Sequence, residues 1–378
     1  MRHYLDWAAT AIPEKYFPVE GIPFGNPSSA HTEGQAARDA LESARSRCAR
    51  VLAVEPEKLY FTSGGTESNA LVLHSYLPRM ERHRLLYSAV EHPSIIENCK
   101  LLEQMGLPVN PIPVEKDGRV SAETLSRALE KHPDARFAAI MGANNETGSL
   151  MDIGSLISAA RSSQAKSGFP LHFHCDLVQA LGKVPVNIGD MDSASFSAHK
   201  LGGMRGIGLL YLKKKLKGLY AGGSQEGGVR PGTENTLGAL SLADILERRA
   251  MPDIVRQENE KARERFKYLI GELRKIKRCA LIPEDREDDD PRFSPWIIQV
   301  RFREVPGSVI VRALDRDGVA VSTGSACSSN SPERPVLSAM GVDGKARLEG
   351  IRVSQGWSTD LADLDALLEG IEKALSFL

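Results

Sequence analysis

The run Ser197-Ala198-His199-Lys200 stands directly after a β-rich segment and shortly before the glycine-rich turn Gly202-Gly203-Met204-Arg205-Gly206. A lysine at a strand end, crowded by close-packed backbone, loses hydration and part of its basicity, which suits it to form a Schiff base with a carbonyl compound. The same residues also describe a solvated lysine at a strand end. The turn by itself makes no nucleotide site, because Leu209 to Leu212 reads as a strand and no helix follows the glycines.

A second cluster, Phe61-Thr62-Ser63-Gly64-Gly65-Thr66-Glu67-Ser68-Asn69, passes from a strand through two glycines into a helix. Glycines let backbone N–H groups approach an anion, Thr66 adds a hydroxyl, and a helix N-terminus adds partial positive charge, so a phosphate fits there. An N-capped helix after a tight turn has the same pattern. In Leu171-His172-Phe173-His174-Cys175-Asp176, strand alternation puts His172, His174 and Asp176 on one face. Ligands spread along one straight strand do not converge easily on one ion, so we expect no metal there. A single working carboxylate, Asp176 supported by Gln179, is the alternative. An ionised carboxylate against a pyridine nitrogen keeps that nitrogen protonated and strengthens the ring as an electron sink.

Cys327 lies in the polar run Ser322-Thr323-Gly324-Ser325-Ala326-Cys327-Ser328-Ser329-Asn330. Cysteines are usually buried, so one on a Gly/Ser loop reads either as a reactive thiol or as an incidental loop residue. Arg352, in Gly350-Ile351-Arg352-Val353-Ser354, is an arginine inside an apolar strand. A fixed carboxylate, from a ligand or from a structural ion pair, would justify its burial.

These residues need a frame. Helical spacing of alanines from about Glu33 to Val54 is followed by a strand at Lys58 to Thr62 and a helix after Glu67. The alternation continues with strands near Arg84 to Ser88, Phe137 to Met141, Leu171 to Asp176, Ser193 to Ser197 and Gly208 to Leu212. Helices fall near Ser94 to Met105 and Ile153 to Ser167. This order predicts an α/β domain with a mainly parallel sheet covered on both faces, whose ligands gather at the carboxyl ends of strands. From Thr236 to about Lys277 a charge-laced helical stretch interrupted by Pro252 reads as a linker helix, followed by an acidic loop from Glu284 to Asp290. The remainder reads strand (Trp296 to Phe302), helix (Ser308 to Asp317), strand (Ala320 to Ser322), strand (Gly350 to Ser354) and a terminal helix, which suits a smaller α+β domain.

Composition bounds the function. Of 378 residues 42% are hydrophobic and 26% charged, with a net charge of -1, so no uniform basic field exists to hold a nucleic-acid backbone. Nowhere do about 18 apolar residues run together, and the start lacks a basic segment followed by an apolar one, so we expect a cytoplasmic protein without membrane contact. Five cysteines form no CxxC pair, which argues against a disulfide framework or structural zinc and leaves four of them as small buried groups.

Taken together and in order, these segments resemble the cysteine desulfurases, pyridoxal phosphate (PLP) enzymes of the aspartate-aminotransferase fold, in the branch with a long serine-rich cysteine loop. The resemblance runs from Tyr4-Leu5-Asp6 and Phe24-Gly25-Asn26-Pro27-Ser28-Ser29 to the C-terminal helix. It implies a large PLP-binding domain over residues 16–250 and a small domain of residues 1–15 with 251–378. It also implies that Lys200 holds the cofactor, that His92 stacks on its ring and assists proton transfer, and that Asp176 and Gln179 meet the ring nitrogen and the phenolic oxygen. Gly65, Thr66, Ser197 and His199 are implied for the phosphate, Asn145 for substrate or cofactor oxygens, and Arg352 with Asn26 for the substrate carboxylate. Thr233, in Arg230-Pro231-Gly232-Thr233-Glu234-Asn235, is implied to reach the phosphate of a partner subunit, hence a homodimer. Two positions depart from the family pattern: Trp7 where an asparagine is usual, and Leu177 where a small residue follows the aspartate. The chain also ends soon after its last helix, without the longer tail that some relatives use to engage a scaffold protein.

The implied reaction converts L-cysteine to L-alanine, with Cys327 taking the sulfur as a persulfide for iron-sulfur cluster assembly or another sulfur acceptor. Two rivals stand beside it. One is another PLP aminotransferase or lyase, selenocysteine lyase included, with Cys327 incidental. The other is a non-catalytic scaffold subunit, which the set Lys200, His92 and Asp176 argues against.

Overall fold

The structure, a computed structural model, describes residues 2–14, 21–78, 83–168, 170–216, 220–324 and 334–377. Strand β1 (His3–Tyr4) precedes helix α1 (Thr32–Leu52), which buries Ala37, Leu41, Ala44 and Cys48 along one stripe. Strands and helices then alternate: β2 (Leu59–Thr62), α2 (Gly65–His74), β3 (Arg84–Ser88), α3 (Pro93–Gln104), β4 (Val109–Ile112), α4 (Ala122–Lys131), β5 (Ala135–Ala139) and α5 (Ile153–Ser167). β6 (His172–Asp176), β7 (Ser193–Ser197) and β8 (Gly208–Leu212) complete a seven-stranded sheet of order β2-β8-β7-β6-β5-β3-β4. The five strands from β7 to β4 are parallel, while β8 runs antiparallel to both β7 and β2.

Every residue of β7 and β8 is buried, as a sheet covered on both faces requires. One face packs Leu86, Phe173 and Phe196 with α1; the other packs Val72, Ile95, Phe137 and Leu210. The α/β expectation therefore holds, with two omissions. β4 is an edge strand of four residues containing Pro111, a short and weak signal. α4 carried a clear one: Ser121 caps it by accepting from Thr124 N, and Leu125 and Leu129 share its buried face.

The long charged stretch is two helices rather than one linker. α6 (Thr236–Arg249) buries Ala239, Leu242, Ala243 and Leu246 in the main core, and the chain breaks at Ala250 and Met251 before α7 (Pro252–Leu273). β9 (Cys279–Ile282), β10 (Ile297–Phe302) and β12 (Gly350–Ser354) form an antiparallel sheet of order β12-β10-β9. Between them in sequence lie α8 (Gly307–Arg316), β11 (Val319–Ala320), α9 (Pro335–Ala339) and α10 (Gly344–Leu348), with α11 (Leu361–Ser376) after β12. Leu5, Phe266, Leu273, Val300, Ile351 and Leu367 share a second core there. β1 pairs in parallel with β11, and Asp6 bridges to Ser354, so the segment around Leu5 lies against this second sheet. The presumed acidic loop contains a buried cation: Arg286 donates to the carbonyls of Thr147, Ser294 and Ile297.

Both departures from the family pattern are matched by glycines. A Cβ on Gly356 would lie 1.9 Å from the Trp7 ring, and one on Gly142 would lie 2.6 Å from Leu177 Cδ2. Trp7 Nε1 donates to Tyr4 O at 2.9 Å, while Leu177 turns away from the cavity described next, toward Met151, Ile157 and Ala180.

Candidate active site

A cavity of about 230 Å³ opens at the carboxyl ends of β6 and β7. β7 ends at Ser197, and one turn of 3-10 helix (Ala198–Lys200) carries Lys200 into the cavity, where Nζ donates to Ala8 O at 2.6 Å and Ala9 O at 2.8 Å. The acceptors are backbone carbonyls of the N-terminal segment, a partner that sequence reading did not supply. Beside it His199 Nδ1 lies 3.1 Å from Thr10 Oγ1. Burial, and then the charge of Lys200, push His199 down to about 4, so it is neutral near pH 7.

Asp176 closes the floor of the cavity. Its Oδ1 accepts from Val178 N at 3.0 Å and its Oδ2 from Asn69 Nδ2 at 2.8 Å. Asn69 Nδ2 also donates to Ser94 Oγ at 2.8 Å, so its Oδ1 must accept from His174 Nε2, 2.9 Å away. His174 Nδ1 then accepts from Ser193 Oγ at 2.7 Å, and that hydroxyl accepts from His172 Nε2 at 2.7 Å. These proton positions follow from the network. The pairing of β6 with β7, His174 opposite Ser193 and Asp176 opposite Ser195, puts the serines beside the histidines. His172 and His174 are thus hydrogen-bonding residues; no group of three or more His, Cys, Asp or Glu able to hold a metal occurs among the described residues. Burial pushes His174 down to about 3.

Ser94 links this chain to His92. His92 is the N-cap of α3, and its Nδ1 accepts from Ser94 N at 3.1 Å, with Ser94 Oγ at 2.9 Å. The proton of the ring therefore sits on Nε2. Burial lowers the His92 pKa, with Asp176 opposing and Lys200 reinforcing that shift. The adjacent Glu91 is fully buried, and burial followed by the Asp176 charge holds its carboxyl well above the usual range.

At the mouth, the end of β2 leads through Gly64 (φ +155°) into α2, which has no side-chain N-cap. A Cβ on Gly65 would meet Val178 Cγ2 at 2.7 Å, so the helix start packs against Val178 more closely than a residue with a Cβ permits. Thr66 and Ser197 line the same end. Across the cavity Arg352, 1% exposed, donates from Nη2 to Asp6 Oδ1 at 2.7 Å and from Nη1 to Asn145 O at 2.9 Å, while its Nε has no partner among the described residues. Asn144 sets the turn that presents Asn145, since its Oδ1 accepts from Glu146 N and Thr147 N.

The cavity thus gathers Gly65, Thr66, His92, Asn145, Asp176, Gln179, Ser197, His199, Lys200 and Arg352. Asn26 is not among them: it is exposed, and its Oδ1 accepts from Ser28 N in a local turn. Thr233 is also exposed and outside the cavity. Cys327 lies outside the described residues. Of the other cysteines, Cys48, Cys99 and Cys175 are buried and Cys279 is half-buried. Burial pushes Cys48, Cys99 and Cys279 up to about 12. The donor set fits a ligand with a carbonyl carbon for Lys200, a basic ring nitrogen for Asp176 and an anionic group for the uncapped helix start.

Comparison with known proteins agrees. The aminotransferase class-V family matches residues 3–367. The chain is 35% identical to the cysteine desulfurase IscS of Dictyoglomus turgidum, covering 99% of this chain and 95% of that protein. It is 36% identical to a cysteine desulfurase of Cereibacter sphaeroides, covering 97% and 94%. Among solved structures, a NifS-like protein superposes over the whole of both chains with a TM-score of 0.89 at 30% identity. A NifS-like protein from Rickettsia africae does so with a TM-score of 0.85 at 26% identity.

Proposed function

We infer, from the premise that this chain belongs to the class-V aminotransferase family, that it is a PLP-dependent cysteine desulfurase converting L-cysteine to L-alanine. The observation that carries this reading is the convergence of Lys200, Asp176, His92 and Arg352 on one cavity. When bound, PLP supplies an electron sink for the bond broken at the substrate Cα. Lys200 would hold the cofactor and, once displaced, take the Cα proton at Nζ. Asp176 would keep the ring nitrogen protonated, Gln179 would donate to the phenolic oxygen, and His92, neutral with its proton on Nε2, would cover the ring. Gly65, Thr66, Ser197 and His199 would hold the phosphate. Asn145 would face the oxygens, and the guanidinium of Arg352 would take the substrate carboxylate.

Cys327 is proposed as the sulfur acceptor: its thiolate bonds to the substrate sulfur as the carbon–sulfur bond breaks, leaving a persulfide and, after protonation of the carbon fragment, alanine. We propose delivery of that sulfur to an acceptor or scaffold protein, iron-sulfur cluster assembly being one destination, in a cytoplasmic homodimer. Thr233 would serve the partner subunit's phosphate. Mixed dimers of Thr233→Ala and Lys200→Ala subunits should then regain activity, because both defects fall in one site. The decisive test is mass spectrometry after incubation with cysteine. We expect one added sulfur on Cys327, with Cys327→Ser keeping cofactor and fold but losing at least roughly 100-fold in alanine formation. Alanine formation at the parental rate by Cys327→Ser would leave a generic PLP lyase as the reading.

A further inference from the structure

Lys183 is a buried amine with no carboxylate against it among the described residues. It is 2% exposed, and its Nζ has one hydrogen-bond partner among the described residues, Gln179 Oε1 at 2.8 Å. The charges that bear on it are those of Lys200 and Arg352, both positive; burial, and then these two, push Lys183 down to about 7. An ammonium in such a place is costly, and an apolar side chain of the same length would avoid the cost. Its backbone is clamped as well: the Lys183 carbonyl accepts from Trp296 Nε1 at 2.7 Å and from Asn259 Nδ2 at 2.8 Å.

The consequence falls on Gln179. A side-chain amide has an accepting end and a donating end that exchange by a half-turn, and an ammonium can only donate, so Lys183 in its protonated form, standing against Gln179 Oε1, selects the oxygen. Gln179 Nε2 is thereby turned the other way, where it donates to Ala8 O at 2.8 Å, the carbonyl that also receives Lys200 Nζ. We propose that Lys183 is a positioning residue that fixes the Gln179 amide so that N–H, and not oxygen, faces the cofactor's phenolic oxygen. This rests on the reading above that Gln179 meets that oxygen. A donor there draws electron density away and makes the Lys200 nitrogen joined to the cofactor less basic.

The test is a pH titration of the bound cofactor's visible absorbance, which follows the proton on that nitrogen, in the wild type, Lys183→Met, Gln179→Leu and the double variant. Losing one hydrogen bond from Gln179 should raise the midpoint by roughly half a pH unit. We expect Lys183→Met to move it in the same direction, and the double variant to move it no further than Gln179→Leu alone. A Lys183→Met protein that titrates with the wild type while Gln179→Leu shifts would overturn the proposal. Shifts that add in full would overturn it too, because Lys183 would then act through its own charge. Gln179→Glu guards against a misfolded Lys183→Met protein. Its carboxylate accepts from Lys183 but has no N–H, so its midpoint must rise; a parental midpoint counts against the proposal. Failure of the underlying reading looks different: no cofactor on Lys200, or Gln179→Leu titrating with the wild type, removes the role of Gln179 and the proposal with it.

Discussion

Asp176 and Arg352 face the same cavity from walls that treat polar atoms differently. On the β6–β7 wall, a continuous chain from His172 through Ser193, His174 and Asn69 ends on Asp176, and a branch through Ser94 ends on His92. Its hydrogens point toward the carboxylate and toward His92 Nδ1. On the β12 wall, Arg352 is anchored by Asp6 and by Asn145 O, yet its buried Nε has no partner among the described residues. A fully partnered wall suits a group that stays bound, because nothing must rearrange to receive it. A buried donor without a partner among the described residues suits a group that arrives and leaves, since its arrival can satisfy that donor.

The largest effect should come from the partnered wall. Asp176→Ala removes the acceptor on which the chain ends, and we expect alanine formation to fall by roughly 10²–10³-fold while some cofactor stays on Lys200. Near-normal turnover would mean that the network serves folding alone. The opposite wall should answer in the other kinetic constant. Arg352→Lys keeps a charge but cannot keep both Asp6 and a ligand carboxylate in planar contact, so KM for cysteine should rise by roughly 10- to 100-fold with kcat little changed. If kcat falls and KM holds, Arg352 belongs with the preorganised residues and the contrast between the walls is lost.

How much of this the sequence carried depends on where each residue gets its meaning. Lys200, Asp176 and Arg352 were legible because a strand end or an apolar strand is enough to mark a polar residue as exceptional. The supporting residues were not. Asn69 closed the glycine-rich run and His174 was weighed only as a metal ligand, because their partnership depends on α2 packing over the β6–β7 register, which no local pattern encodes. Lys183 had no signal: its backbone carbonyl is held by Trp296 and Asn259, 113 and 76 residues away in sequence. Asn26 and Thr233 show the converse, motif residues that one folded chain leaves exposed. In the fold, the strand-helix alternation was readable, whereas α6 reads as part of a linker because the charges at its end, Glu247, Arg248 and Arg249, run on into the charge-laced α7.

The smallest predicted effect bears on the internal direction of the partnered wall. His174 is neutral in the fold, its pKa pushed down from 6.5 to about 3 by burial. The unfolded chain takes up a proton at this residue below about pH 6.5 and the folded chain does not until about pH 3, so the unfolded state binds more protons throughout that window. Stability is therefore lost as pH falls from about 6.5 toward 3, by up to ~1.4 kcal/mol per pH unit from this one group. His174→Gln keeps an N–H for Asn69 Oδ1 and an oxygen for Ser193 but removes the titrating ring. Urea unfolding of both proteins across the acid range should show the variant losing less stability per pH unit, by at most that amount, whatever its offset at neutral pH. Parallel acid limbs would mean that His174 carries a proton in the folded protein. The chain would then deliver positive charge toward Asn69, and the wall would not be the neutral, one-directional scaffold that sets it apart from the Arg352 side.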